Sequence, residues 1–290
     1  MKFLFLICLT IISLGNIGPL TSTAQGTLED SEPPATNTPK PAIPAPLLQA
    51  APLVQATSKL LSQQIYQIES EIELTAGEIE EPLMANAHLI TTIVAPDKVK
   101  TEITFFDPEK TLDRQYQVIA NGTQVWIYDV ENNQYSVNEY GQFISSQTGL
   151  AVGTLANFYL KTLNTINNNR IASRAIGKLP PDRLFRYFQS YANLDLQNIV
   201  IRNEQIGQEV YAVYDLDALD KSYQLTTYIA PQSSDIKQIY LQGKKDDLDI
   251  TLIEQIISQT ALELMPVEAF NFIPPDDAEQ VESQIAIDIF

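Results

Sequence analysis

The chain offers few side chains that could do chemistry at a site. His88 is its only histidine and Cys8 its only cysteine, so a metal ion would find no thiolate beside the imidazole, and a Ser/His/Asp triad would have to be built around His88. The segment DLDALDKS, residues 215–222, lacks the glycine and the terminal glutamate of a calcium loop, and no glycine-rich phosphate loop occurs. We therefore predict a structural role for His88, no catalytic residue, no bound metal, no cofactor and no enzymatic activity.

The first residues predict export. Met1-Lys2 forms a short positive region, residues 3–14 are apolar, and Ser22-Thr23-Ala24 places small residues at a cleavage site. An uncleaved membrane anchor is the alternative, but the apolar run is shorter than the ~20 residues that a spanning helix needs. We expect residues 1–24 to be a signal peptide that takes Cys8 with it, and the mature protein to be soluble in the periplasm or in another exported location.

Composition limits the partners. The 36 acidic and 18 basic residues give a formal net charge of −18, and such a surface repels phosphate backbones, so we expect no nucleic-acid partner. Residues 25–50 are rich in proline, alanine and threonine and cannot bury enough apolar surface to fold. We predict a disordered linker there, which is either a spacer from a membrane or wall or a plain unstructured N-terminus.

Alternating apolar and polar residues predict strands over most of the remaining chain. In YQIESEIELTA, residues 66–76, the apolar side chains lie on one face and the glutamates on the other. The same alternation recurs at residues 88–94, 99–106, 115–120, 209–216, 223–230, 236–242 and 248–256, with short turn-rich connections that favour antiparallel pairing. Helical spacing occurs at residues 53–65, 155–166 and 184–191.

Three motifs resemble those of the LolA-type periplasmic lipoprotein carriers. An Asn-Gly turn precedes a tryptophan and a tyrosine in VIANGTQVWIYDVENNQYSV, a strand ends in proline before a basic stretch in APDKVKTEI, and FNFIPP carries an aromatic pair and a double proline. The matching residues, to which we assign structural roles, are Pro96, Asn121, Gly122, Gln134, Phe270, Phe272, Pro274 and Pro275, together with Trp126 and Tyr128. Their order over roughly residues 53–282 resembles the LolA/LolB-like superfamily.

The resemblance implies a mainly β, α+β fold: a strongly bent antiparallel sheet that forms an unclosed barrel, with helices covering its concave apolar face. It also implies that residues 270–275 form a strand at the sheet margin, which the prolines end because they have no N–H to donate. We expect this domain to span residues 51–283, with residues 284–290 as a tail or an added edge strand.

By the same resemblance, the protein is an exported carrier. It would bind acyl chains of lipoproteins or lipids in an apolar cavity and move them as a monomer across the periplasm, between an inner-membrane donor and an outer-membrane acceptor. Large side chains are candidates for the cavity lining, with ordinary core as the alternative for each. These candidates are Trp126, Tyr128, Leu155, Phe158, Tyr159, Phe185 and Phe188.

One position departs from the pattern of the carriers. They commonly have an arginine before the proline of the second strand, where it holds the lid helices, whereas this chain has Ala95 before Pro96. The departure argues against lid closure by that arginine and against strict lipoprotein transfer. The alternative function is therefore an interaction or sensor domain on the same scaffold, similar to regulators of envelope stress.

Overall fold

A computed structural model describes residues 50–77, 83–106, 112–168, 194–195, 198–221, 223–245 and 248–281. The strands in these ranges form one sheet of twelve, in the order β12-β6-β5-β4-β3-β2-β1-β11-β10-β9-β8-β7. Their bounds are β1 Ile65–Gly77, β2 Leu83–Val94, β3 Lys98–Phe106, β4 Leu112–Asn121, β5 Gln124–Asp129, β6 Gln134–Glu139, β7 Val200–Ile206, β8 Glu209–Asp217, β9 Tyr223–Ala230, β10 Asp235–Lys245, β11 Leu248–Ala261 and β12 Glu279–Gln280. Neighbouring strands are antiparallel, except that β12 runs parallel to β6.

Helices pack on one face of this sheet. They are α1 (Ala51–Ser62), α2 (Tyr140–Ser145) and α3 (Thr154–Asn168), and a 3-10 helix (Gln147–Val152) joins α2 to α3. The amphipathic spacing of α1 buries Leu53, Leu60 and Leu61 among others, as the sequence predicts. At the last turn of α1, Lys59 contacts Asp235 of β10 at 2.6 Å, which fixes the helix end to the sheet.

The two faces of the sheet follow the alternation of the strands. On β1, Ile68 and Leu74 are buried on the helix-covered face, whereas Glu69, Glu71 and Glu73 point to the opposite face. The face that carries these glutamates is the outer face of the sheet. The predicted mainly β fold and its antiparallel pairing are thus confirmed, and so is the predicted helix at residues 155–166.

The predicted strong bend of the sheet is wrong. The sheet is not strongly curled, and its edge strands β7 and β12 lie at opposite ends of the strand order. Bulges bend strands, but in the described ladders register shifts occur at three places, beside Glu69, Phe105 and Ile236.

The predicted marginal strand at residues 270–275 is also wrong. Val267–Phe270 is a 3-10 helix, and residues 272–275 have no ladder partner. The 3-10 helix contacts β3 and β4. Phe270 is fully buried, although it does not belong to the main core, the cluster of apolar side chains between the helices and the sheet that includes Leu60, Ile68, Ile127 and Leu155. The aromatic side chains therefore cover part of the outer face, and the edge strand is formed afterwards by Glu279–Gln280.

Several sequence predictions concern residues outside the described ranges. They are the signal peptide (1–24), the linker (25–50, of which only residue 50 is described), the second helix of the middle region (184–191) and the tail (284–290). These four stay predictions.

The burial of Phe270 predicts a specific loss of stability. Phe270→Ala removes a fully buried ring and should lower the free energy of unfolding by about 3–5 kcal/mol in urea titrations. Ile273→Ala is the matched control, because Ile273 is 84% exposed on the same segment and its loss should change stability by less than about 0.5 kcal/mol. Equal effects of the two substitutions would contradict the assigned role of the segment.

Candidate functional site

A row of leucines crosses the helix-covered face of the sheet. Each member stands opposite the next one on the neighbouring strand. From β8 to β2, this leucine row consists of Leu216, Leu225, Leu241, Leu252, Leu74 and Ala85. Because neighbouring strands are about 4.8 Å apart, the row is about 24 Å long. It forms a continuous apolar strip across six strands.

The leucine row extends away from the main core. Leu216 belongs to that core and Leu225 packs against it, but the members from Leu241 to Ala85 do not belong to it. Leu225 and Leu252 are half-buried. In the part of the chain that the structure describes, the helices make their principal contacts with β3, β5, β6 and β9. Leu241, Leu74 and Ala85 are nevertheless buried in the folded chain.

A buried carboxylate marks the border between the leucine row and the helices. Glu254 follows Leu252 on the same face of β11 and is 0% exposed. Its Oε2 accepts a hydrogen bond from the Leu155 N–H at 2.9 Å, and its Oε1 accepts one from the Ser70 hydroxyl at 3.0 Å. Because the first N–H groups of a helix have no helical partner, this carboxylate caps α3 and fixes its start to the sheet.

The start of α3 requires a glycine beside this carboxylate. Gly153 has φ +92°, and a Cβ there would lie 2.8 Å from Oε1 of Glu254. The absence of a side chain lets the carboxylate approach the helix.

Burial raises the pKa of Glu254 above that of an ordinary carboxyl group, although the hydrogen bonds from Leu155, Ser70 and Thr154 act in the opposite direction.

Two further hydrogen bonds hold the helices in place. The Thr91 hydroxyl on β2 donates to the Val152 carbonyl at 2.9 Å, and the Tyr159 hydroxyl donates to the Gln63 carbonyl at 2.7 Å. Burial raises the pKa of Tyr159, so its hydroxyl remains a donor at neutral pH. Together with Glu254, these contacts attach α3 and the 3-10 helix before it to the sheet and to the end of α1.

The predicted lining residues fall into three groups. Leu155 and Tyr159 are fully buried in the main core under α3, and Phe158 on the same helix is half-buried. Phe185 and Phe188 lie outside the described residues. For each of these five residues, contact with a lipid stays a prediction.

Trp126 and Tyr128 form the third group, which lies on the outer face. Their neighbours on β5, Val125 and Ile127, belong to the main core, so the two aromatic rings point the other way. Both rings contact Phe272, at centroid distances of 6.3 and 5.7 Å. The structure therefore does not bring them together with Leu155 and Tyr159, contrary to the expectation that all line one cavity, and their lipid contact also stays a prediction.

The remaining motif residues occupy turns and edges. The peptide bond before Pro96 is cis. Asn121 accepts hydrogen bonds from the N–H groups of Thr123 and Gln124 at 3.0 Å, and Gly122 has φ +94°, with its Cβ position 2.6 Å from the Asp97 carboxylate. Gln134 donates to Glu279 at 3.3 Å, and Pro274 and Pro275 are exposed beyond Phe272.

His88 lies in a structural contact on the outer face. Its Nε2 is 3.1 Å from Glu69 on the neighbouring strand. Within the described ranges, no group of three or more His, Cys, Asp or Glu side chains could hold a metal ion. Nor is any helix in those ranges both long and apolar enough to cross a membrane.

The leucine row and Glu254 were missed in the sequence. The strands that carry them were predicted, but the row exists only because five separate ladders align these residues, and register is not visible in single strands. The signal for Glu254 was an acid between Leu252 and Ile256, on the apolar face of its strand.

No protein-family model and no curated protein matches the chain. Solved structures do match. An uncharacterised conserved protein from Thermus thermophilus covers 81% of this chain and 99% of its own at 12% identity, with a TM-score of 0.40. MucB covers 81% of this chain and 66% of its own at 9% identity, with a TM-score of 0.38.

A LolA superfamily protein from Nitrosomonas europaea also matches, over 77% of this chain and 97% of its own at 10% identity, with a TM-score of 0.31. The predicted resemblance to that superfamily is confirmed as a resemblance. Identities and TM-scores of this size assign the chain no activity.

The raised pKa of Glu254 predicts a pH effect on stability. Because the folded state holds this proton more tightly than the unfolded state, its contribution to stability falls as pH rises from the ordinary carboxyl pKa through the raised one. Glu254→Gln keeps an acceptor for the Leu155 N–H and should remove that fall. Urea titrations across this pH range should therefore show the variant gaining stability relative to the wild type as pH rises. A constant difference between the two proteins would contradict the buried, protonatable cap.

Proposed function

We propose that the protein is an exported carrier that holds acyl chains against the leucine row. The observation that supports this function is the continuous apolar strip of about 24 Å on the helix-covered face, which extends beyond the main core. Acyl chains need such a surface because their burial is non-directional and contributes about 0.8 kcal/mol per methylene. Leucine side chains offer no polar group that would fix one headgroup or one chain length.

The cargo and route are part of the same proposal. The bound chain belongs to a lipoprotein or to a lipid, and the carrier takes it from an inner-membrane donor to an outer-membrane acceptor across the periplasm. Contacts that grow with chain length also let release proceed in steps, since each methylene contributes little. In this proposal the bound chain lies beside α3, whose attachment through Glu254 puts Leu155 at the border of the row.

A second candidate is an interaction or sensor domain without lipid cargo. The full burial of Leu155 and Tyr159 favours it, because helices packed in this way are fixed core. In that case the leucine row is also core, and the surface of the domain carries its function.

Two substitutions on adjacent residues separate these functions. Leu252→Trp enlarges a half-buried side chain in the middle of the leucine row, whereas Ile253→Trp enlarges an equally half-buried side chain on the outer face of the same strand. We expect the first variant to weaken binding of a fluorescent fatty acid about tenfold or more, and the second to leave it unchanged.

The affinity is measured by fluorescence titration, with circular dichroism as a control for folding. A wild-type protein that binds no acyl probe, or equal losses in the two variants, would contradict the carrier function. The first outcome would leave the interaction or sensor domain as the remaining candidate.

A further inference from the structure

An open groove lies on the outer face of the sheet, across strands β7 to β10. It has a volume of about 360 Å³ and is lined by Arg202, Asp215, Gln224, Thr226, Tyr228 and Tyr240. These residues alternate with the leucines and other apolar residues of the opposite face, so the groove and the leucine row are on different sides of the same strands. In the described part of the chain, the C-terminal segment has its main contacts with β3, β4 and β6, away from this groove.

The single positive charge in the groove, on Arg202, is more than balanced by two carboxylates. Arg202 forms ion pairs with Asp215 and with Glu204, the latter at 3.1 Å. Asp215 accepts a further hydrogen bond from Thr226 at 2.7 Å. An anionic ligand would therefore meet an arginine whose charge is already balanced, in a chain of net charge −18.

The polar groups in the groove can both donate and accept hydrogen bonds. Thr226, Gln224 and Tyr240 donate to Asp215, Asp217 and Gln242 within the protein, so their oxygens offer acceptors to a ligand. The Tyr228 hydroxyl and the second amide N–H of Gln224 offer donors. Such a lining does not suit an acyl chain, because it would bury polar groups without partners. It suits an uncharged ligand with many hydroxyl groups.

The two tyrosines add a flat apolar surface. Tyr240 stands opposite Thr226, and Tyr228 lies two residues further along β9, so the two side chains are diagonal neighbours, about 7–8 Å apart. Both are half-buried, which keeps part of each ring open to solvent. Sugar rings have one C–H face that packs on aromatic rings and a rim of hydroxyls that bonds to polar side chains.

We propose that this groove binds a neutral glycan chain. The site is independent of the acyl-binding face. A carrier with both sites would hold its lipid on one side of the sheet while the other side rests on a polysaccharide of the cell envelope.

The test uses affinity titrations of the full chain with soluble oligomers of glucose and of N-acetylglucosamine. We expect the wild type to bind at least one of the two, with an affinity that salt does not change, because the ligand carries no charge. Tyr240→Ala and Tyr228→Ala should each weaken binding about tenfold. The matched control is Tyr211→Ala, a tyrosine of the same face that pairs with Glu209 outside the groove.

Circular dichroism and thermal melting confirm that each variant is folded. Absence of binding to both oligomers would overturn the proposal, as would wild-type affinity in the two groove variants. Binding that weakens steeply with salt would overturn it as well, since it would indicate an ionic ligand. None of these outcomes depends on whether the protein binds acyl chains.

Discussion

The hydrogen bond from the first turn of α3 to Glu254 is the contact on which the arrangement of the helix-covered face depends. It joins a helix to the middle of a twelve-stranded sheet through a carboxylate that is entirely buried. A buried carboxylate is costly unless it is fully hydrogen-bonded, and here Ser70 and the helix N-terminus supply the partners. Glu254 lies two residues after Leu252 on the same face of β11, so this bond lies beside the leucine row.

Among the described residues, helices pack on one face of this wide sheet and the C-terminal segment packs on the other. One face carries the main core at α1 and α3 and, beyond Glu254, the leucine row. In the ranges that the structure describes, the outer face is covered where Phe270 and Phe272 pack on β3 to β6. The fold thus offers an apolar surface on one side and an open polar groove on the other, and the proposed functions follow from this division.

Much of the fold could be predicted because the alternation on each strand is local information. The glutamates of β1 and the apolar spacing of α1 are visible within a dozen residues. The path of the C-terminal segment was not predictable in this way. Its aromatic pair alternates as in a strand, but Phe272 packs between Trp126, Tyr128 and Tyr135 on the outer face, and such long-range contacts outweigh local propensity.

The candidate site depended even more on long-range register. Trp126 and Tyr128 were placed in the cavity because they are large, yet the side that a residue faces is set by its ladder. The leucine row needed five ladders in register.

The most direct test of the carrier function is cross-linking with a photoactivatable fatty acid, followed by peptide mass spectrometry. We predict cross-links in β9, β10, β11 and β1 at Leu225, Leu241, Leu252 and Leu74. Cross-links confined to Trp126, Tyr128 and Phe272, or none at all, would contradict it.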